Sequence, residues 1–472
     1  MNPLRRREFL KTLGLGAAAA ALGRPAWAAA VSAARPAAEA LKGPNLLFIF
    51  ADQMHGFAMG CMGDRQIRTP NLDRLASEGI LFRNAYSSAP VCTPFRANLF
   101  TGRYGSQTGI LGNETPLPKG EKALADCLNA AGYRTSYVGK WHLGGAGNKA
   151  VPKELRGGFT DFIGYQCYND YLANVLFFDE DGRTADAGKH RTDATTDIAI
   201  ERLRRAAGAG KFALFVSYQN PHYPVQPSPE YEAMYAGVKI ARRPNCREID
   251  PHIPTASPPS PRQNKDADPN FRKYGNNLDK YLQLYYAMIT QLDAGVGRLL
   301  AALDEMGLAG RTAVLFTSDH GDMQGSHGLK NKSVPWEEST RIPCVVRVPG
   351  GAKGAATDAL VSSVDFLPTC LDLVGAPPLA GAAGVSFAPA CRGQPADLAR
   401  PIFSELGGWC MIRRGDLKLV AARPAMKPTH LFNLKDDPYE MTDLVNDPAC
   451  AAAKAKLLAA LTEWNGRVKG RE

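Results

Sequence analysis

Carboxylate, imidazole and ammonium groups recur at four places in this 472-residue chain, each time at the end of a short apolar run. The first is Ala51-Asp52-Gln53 and the second Gly139-Lys140-Trp141-His142-Leu143-Gly144. The third is Asn220-Pro221-His222 and the fourth Asp319-His320-Gly321-Asp322. Such side chains bind ions and move protons. Singly, each has a plain structural reading: Asp52 as a turn or helix cap, His142 and His222 as satisfied structural histidines, Lys140 as a solvated charge. At four strand ends they are expected to converge, because ligands of open α/β sheets bind beyond the carboxyl ends of the strands.

A fifth segment, Cys92-Thr93-Pro94-Phe95-Arg96, opens a helix expected to run toward Thr101. Pro94 suits the first turn, where its fixed φ is compatible and its missing N–H would lack a partner anyway. A helix N-terminus beside residue 92 offers N–H groups to an anion. A buried, inert thiol is the plain alternative for Cys92.

The apolar runs Asn45 to Phe50, Arg134 to Val138, Phe212 to Ser217 and Thr312 to Ser318 read as strands buried on both faces. Between them lie helical patterns: Asn71 to Glu78, Lys122 to Ala131 and Leu282 to Met306, each followed by glycine. This alternation predicts a doubly wound α/β domain. Pro221 to Asn276, with Pro251-His252-Ile253-Pro254 and Pro258-Pro259-Ser260-Pro261, reads as a loop over the site or a mobile insertion. Gly375 to Arg400 reads as a linker. Cys410 to Arg413, Leu417 to Val420, Leu431 to Leu434 and a helix near Ala451 to Trp464 predict a small α+β domain.

Taken with its flanks, the Cys92 segment resembles the maturation signature of the sulfatases, Cys-x-Pro-x-Arg. Arg68-Thr69-Pro70-Asn71-Leu72-Asp73-Arg74-Leu75 and Trp336-Glu337-Glu338-Ser339-Thr340-Arg341-Ile342-Pro343 extend the likeness. The resemblance implies an alkaline-phosphatase-like fold, with a large mixed, mainly parallel sheet, helices on both faces and a small C-terminal α+β domain. It divides the chain into a catalytic domain at 44–375 and a C-terminal domain at 376–472. It also implies oxidation of Cys92 to formylglycine (3-oxoalanine), whose hydrate offers one hydroxyl to attack sulfur and one to expel sulfate. The implied metal ligands are Asp52, Gln53, Asp319, His320 and matured Cys92. Gln53 and His320 stand where the commonest pattern has Asp and Asn, which removes one negative charge and offers one nitrogen; calcium remains the first choice, with magnesium or manganese behind. Lys140 and Lys332 would grip the sulfate, and Arg96 would orient the diol. His222 would protonate the leaving oxygen, and His142 would serve as the later base. Lys330 replaces an aromatic of the family motif and is a decoy beside Lys332. Asp322 and His327 stand nearby, with a loop-fixing role as plausible as a chemical one. Phe95 replaces a small residue.

Residues 1–28 read as a twin-arginine export signal: Arg6-Arg7-Glu8-Phe9-Leu10-Lys11, a weakly apolar stretch, then Ala26-Trp27-Ala28. Residues 29–43 read as a linker. The expected product is periplasmic or secreted, with the twin-arginine translocase and a formylglycine-generating enzyme as partners and no stable membrane insertion. The chain carries +10, of which the signal supplies a net +4, and this mild basicity suits an anionic substrate. No basic run with interleaved aromatics points to nucleic acid. Ten cysteines without a CxxC pair indicate neither zinc nor a dense disulfide framework. Hydrolysis of a sulfate monoester on a sugar or aryl alcohol leads. Phosphonate or phosphodiester hydrolysis stands second, and non-catalytic binding of sulfated glycans by an unmatured chain third. Loops such as 55–65 and 165–171, Trp409 and His430 are candidates for specificity.

Overall fold

The computed structural model describes residues 43–147, 149–167, 170–208, 210–247 and 277–469. The expected signal, most of segment 29–43 and the Pro-rich motifs at 251–254 and 258–261 lie outside the described residues. The apolar runs become β1 (Asn45–Asp52), β3 (Arg134–Lys140), β7 (Phe212–Pro221) and β8 (Thr312–Ser318). They lie parallel in the order β8-β1-β7-β3, with Phe48 paired to Phe215 on one side and Leu315 on the other. Leu46, Phe48 and Phe50 face one core, while Leu47, Ile49 and Ala51 face another. The strand period of two thus meets apolar neighbours on both faces, which explains unbroken rather than alternating hydrophobicity.

The central strands belong to an eleven-stranded sheet. It adds β2 (Ile80–Tyr86), β4 (Asp161–Tyr165), β5 (Leu176–Phe178), β6 (Thr184–Asp186), β9 (Arg341–Ile342), β10 (Cys344–Arg347) and β11 (Ala355–Ser362). Because β10 runs antiparallel to β8 and β2, the sheet is mixed but mainly parallel at its centre. One core is covered by α1 (Pro70–Glu78), α4 (Arg191–Ala207) and α5 (Leu278–Glu305). The other is covered by α2 (Cys92–Thr101), α3 (Leu124–Ala130) and α6 (Phe366–Val374). Among the described residues no helix is long and apolar enough to cross a membrane.

Two expectations change. The Gly375 to Arg400 stretch is no linker: Phe387, Ala388, Ala390 and Cys391 are buried in the core that contains Phe48 and Phe366. The Phe387 ring lies 4.9 Å from that of Phe82. Small residues permit close packing here, and their composition alone mimics a linker. The described part of the Pro221 to Asn276 segment is likewise packed, with Val225, Tyr235 and Ile240 buried in the other core beside α5. Beyond residue 400, β12 (Ile402–Leu406), β13 (Trp409–Arg414), β14 (Leu417–Ala422) and β15 (Lys427–Asn433) form an antiparallel meander. The closing helix α7 (Ala451–Lys469) buries Leu457, Leu461 and Trp464 against it.

Strand ends set the site. Pairing carries β1 as far as Asp52, which registers with Pro221, so Asp52 and Lys140 are the last residues of strands and are held by the ladder. Gly139, at φ 108°, precedes Lys140, and a Cβ there would drive into the Ser217 carbonyl of β7. The Gly139→Ala variant should therefore lose about 2 kcal/mol or more of stability. A lowered denaturant midpoint checks it, and an unchanged midpoint would show that β3 and β7 need no such close approach.

Candidate active site

Helix α2 begins at Cys92 after an extended Val91, and Phe95 N–H donates to Val91 O at 3.0 Å. Of the first residues, Thr93 donates its N–H to Asn113 Oδ1 at 3.1 Å and Pro94 has none to donate. The helix terminus therefore offers fewer N–H groups to an anion than the sequence suggests. Phe95 is buried in the core beneath, which accounts for a bulky residue at this position. Cys92 is 1% exposed. Its Sγ lies 3.3 Å from His320 Nε2, 3.6 Å from Asp52 Oδ1 and 3.6 Å from Lys140 Nζ.

Around that sulfur the charges are dense and dry. Asp52 Oδ2 pairs with Lys140 Nζ at 2.6 Å and Arg96 Nη2 at 3.0 Å, all three residues having no exposure. Burial alone would raise the Asp52 pKa, but Lys140, His222, Arg96 and His320 hold it well below the usual carboxylate range. Burial pulls on Lys140 in the opposite sense, yet Asp52 keeps its ammonium well above normal. Asp319 has less compensation: burial and the neighbouring Asp52 push its carboxyl up to about 7. It accepts from the N–H groups of Gln53 at 3.0 Å and His320 at 2.8 Å, and its Oδ1 lies 3.4 Å from His320 Nε2. One ligand atom each from Asp52, Cys92, Asp319 and His320 falls within 4.8 Å of the others, an arrangement that could hold a metal ion.

The histidines are oriented. His320 Nδ1 lies 3.0 Å from Gly321 O and His222 Nδ1 2.5 Å from Tyr223 O, so each Nδ1 carries the hydrogen and each Nε2 turns inward. His222 Nε2 is 4.0 Å from Asp52 Oδ1. His142 sits at φ 59°, and its buried Nδ1 has no partner among the described residues. Burial, reinforced by nearby cations, lowers His142 and His222 well below the ordinary imidazole value. Lys332 donates to Gln53 Oε1 at 2.7 Å, whereas Lys330 is part-exposed two residues away. Every proposed site residue is thus buried near the carboxyl edge of the central strands, His142, His222 and Lys332 retaining slight exposure.

Some participants are not legible in sequence. Gln53 Nε2 donates to Asp322 Oδ2 at 2.8 Å and to Asn331 Oδ1 at 3.3 Å, and Tyr281 of α5 also donates to Asp322. Asp322 therefore orients Gln53, the loop-fixing alternative for that residue. Tyr281 belongs to an ordinary amphipathic pattern, and nothing local marks it. His327 stacks on Trp336 at 4.3 Å and hydrogen-bonds with Asn245.

The sulfatase family model matches residues 44–376. The chain belongs to the sulfatase family. Its enzyme class is therefore sulfuric-ester hydrolase. A second model, described as the C-terminal region of N-sulphoglucosamine sulphohydrolase, matches residues 325–467. This sulfatase is 32% identical over 448 residues to an ulvan-active sulfatase of Formosa agariphila, covering 91% of this chain and 83% of that one. An N-acetylglucosamine-6-O-sulfatase of Bacteroides thetaiotaomicron is 27% identical, covering 93% and 89% of the two chains. The solved structure of BT4656 with its substrate D-glucosamine-2-N,6-O-disulfate has a TM-score of 0.77 at 24% identity, covering 91% and 99% of the two chains. That likeness bears on the fold, which is alkaline-phosphatase-like.

The Gln53 side chain couples Lys332 to the strand end that carries Asp52. Gln53→Leu removes the acceptor from Lys332 and one donor from Asp322. It should lower kcat/KM on an aryl sulfate about ten- to hundred-fold, with the circular dichroism of the fold retained. Unchanged kinetics would mean that Lys332 needs no such anchor.

Proposed function

We propose that this sulfatase cleaves an O-linked sulfate monoester of a sulfated carbohydrate or aryl alcohol, with a nucleophile made from Cys92. The observation that supports it most is the Cys92 sulfur, within 3.6 Å of a carboxylate, an imidazole and an ammonium group. In the matured chain a formylglycine oxygen would take the place of that sulfur. The hydrated aldehyde supplies two hydroxyls on one carbon, one to attack sulfur and one whose deprotonation releases sulfate. Asp52, Asp319 and His320 fit a divalent cation, calcium first and magnesium or manganese behind, which supplies positive charge at the nucleophilic oxygen. Two buried carboxylates, one of them pushed up to about 7, favour such an ion. Gln53 is the least supported ligand, since its Oε1 already accepts from Lys332.

The chain's own residues divide the remaining work. Lys140 and Lys332 neutralise the sulfate oxygens as negative charge builds on them. Arg96 ties Asp52 on β1 to the Lys140 carbonyl on β3 and to Ser217 on β7. His222 keeps its hydrogen on Nδ1, so its Nε2 faces the crevice; an anionic ester bound beside it favours protonation of that nitrogen, and the proton can then pass to the leaving oxygen. His142, neutral and without a partner at Nδ1, takes the proton of the second hydroxyl. Each transfer contributes about 10² to 10⁴ in rate. The Arg6-Arg7 signal directs the folded protein through the twin-arginine translocase to the periplasm or beyond. A formylglycine-generating enzyme oxidises Cys92 beforehand. Sulfated polysaccharide fragments are the favoured substrates, in keeping with the relatives named for ulvan and N-acetylglucosamine 6-O-sulfate.

Mass analysis of the tryptic peptide 84–96, from protein made with its maturation machinery, should find aldehyde at residue 92. Unmodified thiol together with absent turnover would favour a glycan-binding protein. Faster turnover of a phosphonate monoester than of an aryl sulfate would replace the leading reading with the phosphonate one. Metal binding should carry its own pH signature. The raised Asp319 pKa means that the metal-free protein holds a proton below about 7 and sheds it above, and the cation must displace that proton. Calcium affinity measured by calorimetry should therefore rise about tenfold from pH 6 to pH 8, and a flat profile would remove Asp319 from the ligand set.

A further inference from the structure

We propose a second divalent-cation site, away from Cys92, formed by His327, Glu338 and Glu440 with Asn245 and the Tyr439 carbonyl. One ligand atom from each of His327, Glu338 and Glu440 lies within 4.8 Å of the others. The three come from separate parts of the chain: the loop after β8, the segment before β9 and the segment after β15. Asn245 stands among them. Its Nδ2 lies 2.8 Å from Glu338 Oε1, 3.0 Å from Tyr439 O and 3.2 Å from His327 Nε2. An amide nitrogen has two hydrogens, so three acceptors converge on two protons. At the same time Asn245 Oδ1 and Glu338 Oε2 have no hydrogen-bond partner among the described residues, although Asn245 is 3% and Glu338 1% exposed. Buried polar atoms of this kind call for a partner. A half-turn of the Asn245 amide would aim Oδ1 at the same three groups, and a cation seated among them would be met by amide oxygen, carbonyl oxygen, imidazole nitrogen and carboxylate.

Charge points the same way. Glu337, Glu338 and Glu440 crowd together. Lys418 Nζ serves Glu337 at 2.9 Å and Glu440 at 2.7 Å, and Arg243 Nε approaches Glu338 at 3.6 Å. Glu338 has no nearer cation than Arg243 among the described residues. A mixed set of imidazole nitrogen and carboxylate oxygen suits an ion of the zinc or manganese class better than calcium. His327 and Glu338 flank the segment that carries Lys332, and Glu440 lies beyond β15. The ion would tie that segment to the C-terminal part of the chain.

The test uses the full chain carrying Cys92→Ala and Asp319→Asn, which removes two groups from the first centre. It is stripped with chelator and titrated calorimetrically with Zn²⁺ alone. One equivalent should bind, and adding the isosteric Glu338→Gln should weaken it at least tenfold. Failure of the double variant to bind Zn²⁺, with its circular dichroism native, would overturn the proposal. So would unchanged binding after Glu338→Gln. As a reading that does not depend on that substitution, Co²⁺ in the double variant should show visible d–d bands that disappear in His327→Gln. Bands that persist there would remove His327 and overturn the site as drawn.

Discussion

A guanidinium with no exposure must find its partners inside the protein, and Arg96 finds them through Nη1 and Nη2 on and just past the central strands, its Nε having none among the described residues. Its Nη1 donates to Lys140 O at 2.6 Å, Ser217 Oγ at 2.8 Å and Tyr137 OH at 3.3 Å. Its Nη2 donates to Asp52 at 3.0 Å and Asp319 at 3.5 Å, and its face lies 5.0 Å from the Phe50 ring. Those partners sit on β1, β3, β7 and just past β8. Removing one member of such a buried set leaves an uncompensated charge, a loss that commonly costs about 3–5 kcal/mol. One cation thus ties β1, β3, β7 and the residue just past β8 together, and the crevice is what lies beyond them.

The same dryness decides the sign of the site. Burial keeps His142, His222 and His320 below their ordinary pKa and so uncharged near neutrality. What remains is two carboxylates, Asp52 and Asp319, against three cations, Arg96, Lys140 and Lys332. That balance is slightly positive before any metal binds, and the site is walled by low-dielectric core that strengthens each interaction. An anionic ester bound at the proposed site would therefore meet partners for its developing charge. Little reorganisation is needed at the moment of reaction.

Much of this was legible in the sequence because parallel strands buried on both faces leave a long apolar signature and end in polar residues. Asp52, Lys140, His222 and Asp319 could be assigned to one crevice on that ground. The Cys92 segment could be recognised because its spacing is local. What stayed hidden depends on distance in the chain. The partner of Gln53 is Lys332, 279 residues on, and the donor to Asp322 is a tyrosine on a helix face with no local mark. Strand β12 escaped because Ile402 to Leu406 is short and contains Ser404 and Glu405, both buried. The 375–400 stretch was misread because glycine, alanine and proline serve close packing as readily as a linker.

The C-terminal sheet is part of the same construction. Trp409 of β13 donates its Nε1–H to Ser333 O at 3.0 Å, and Ser333 N–H donates to Pro90 O at 3.2 Å. Pro90 is two residues before Cys92, and Ser333 directly follows Lys332. Glu405 of β12 donates its N–H to Ser88 O at 2.8 Å, and its carboxylate accepts from Ser106 N at 2.7 Å. These bonds grip both ends of α2 and the loop that bears Lys332. Lys332 is held at its tip by Gln53 and at its backbone neighbour by Trp409, so its distance from residue 92 is set from both sheets at once. A chain without the meander would retain Asp52 and Lys140 on their strands and lose one of the two constraints on Lys332.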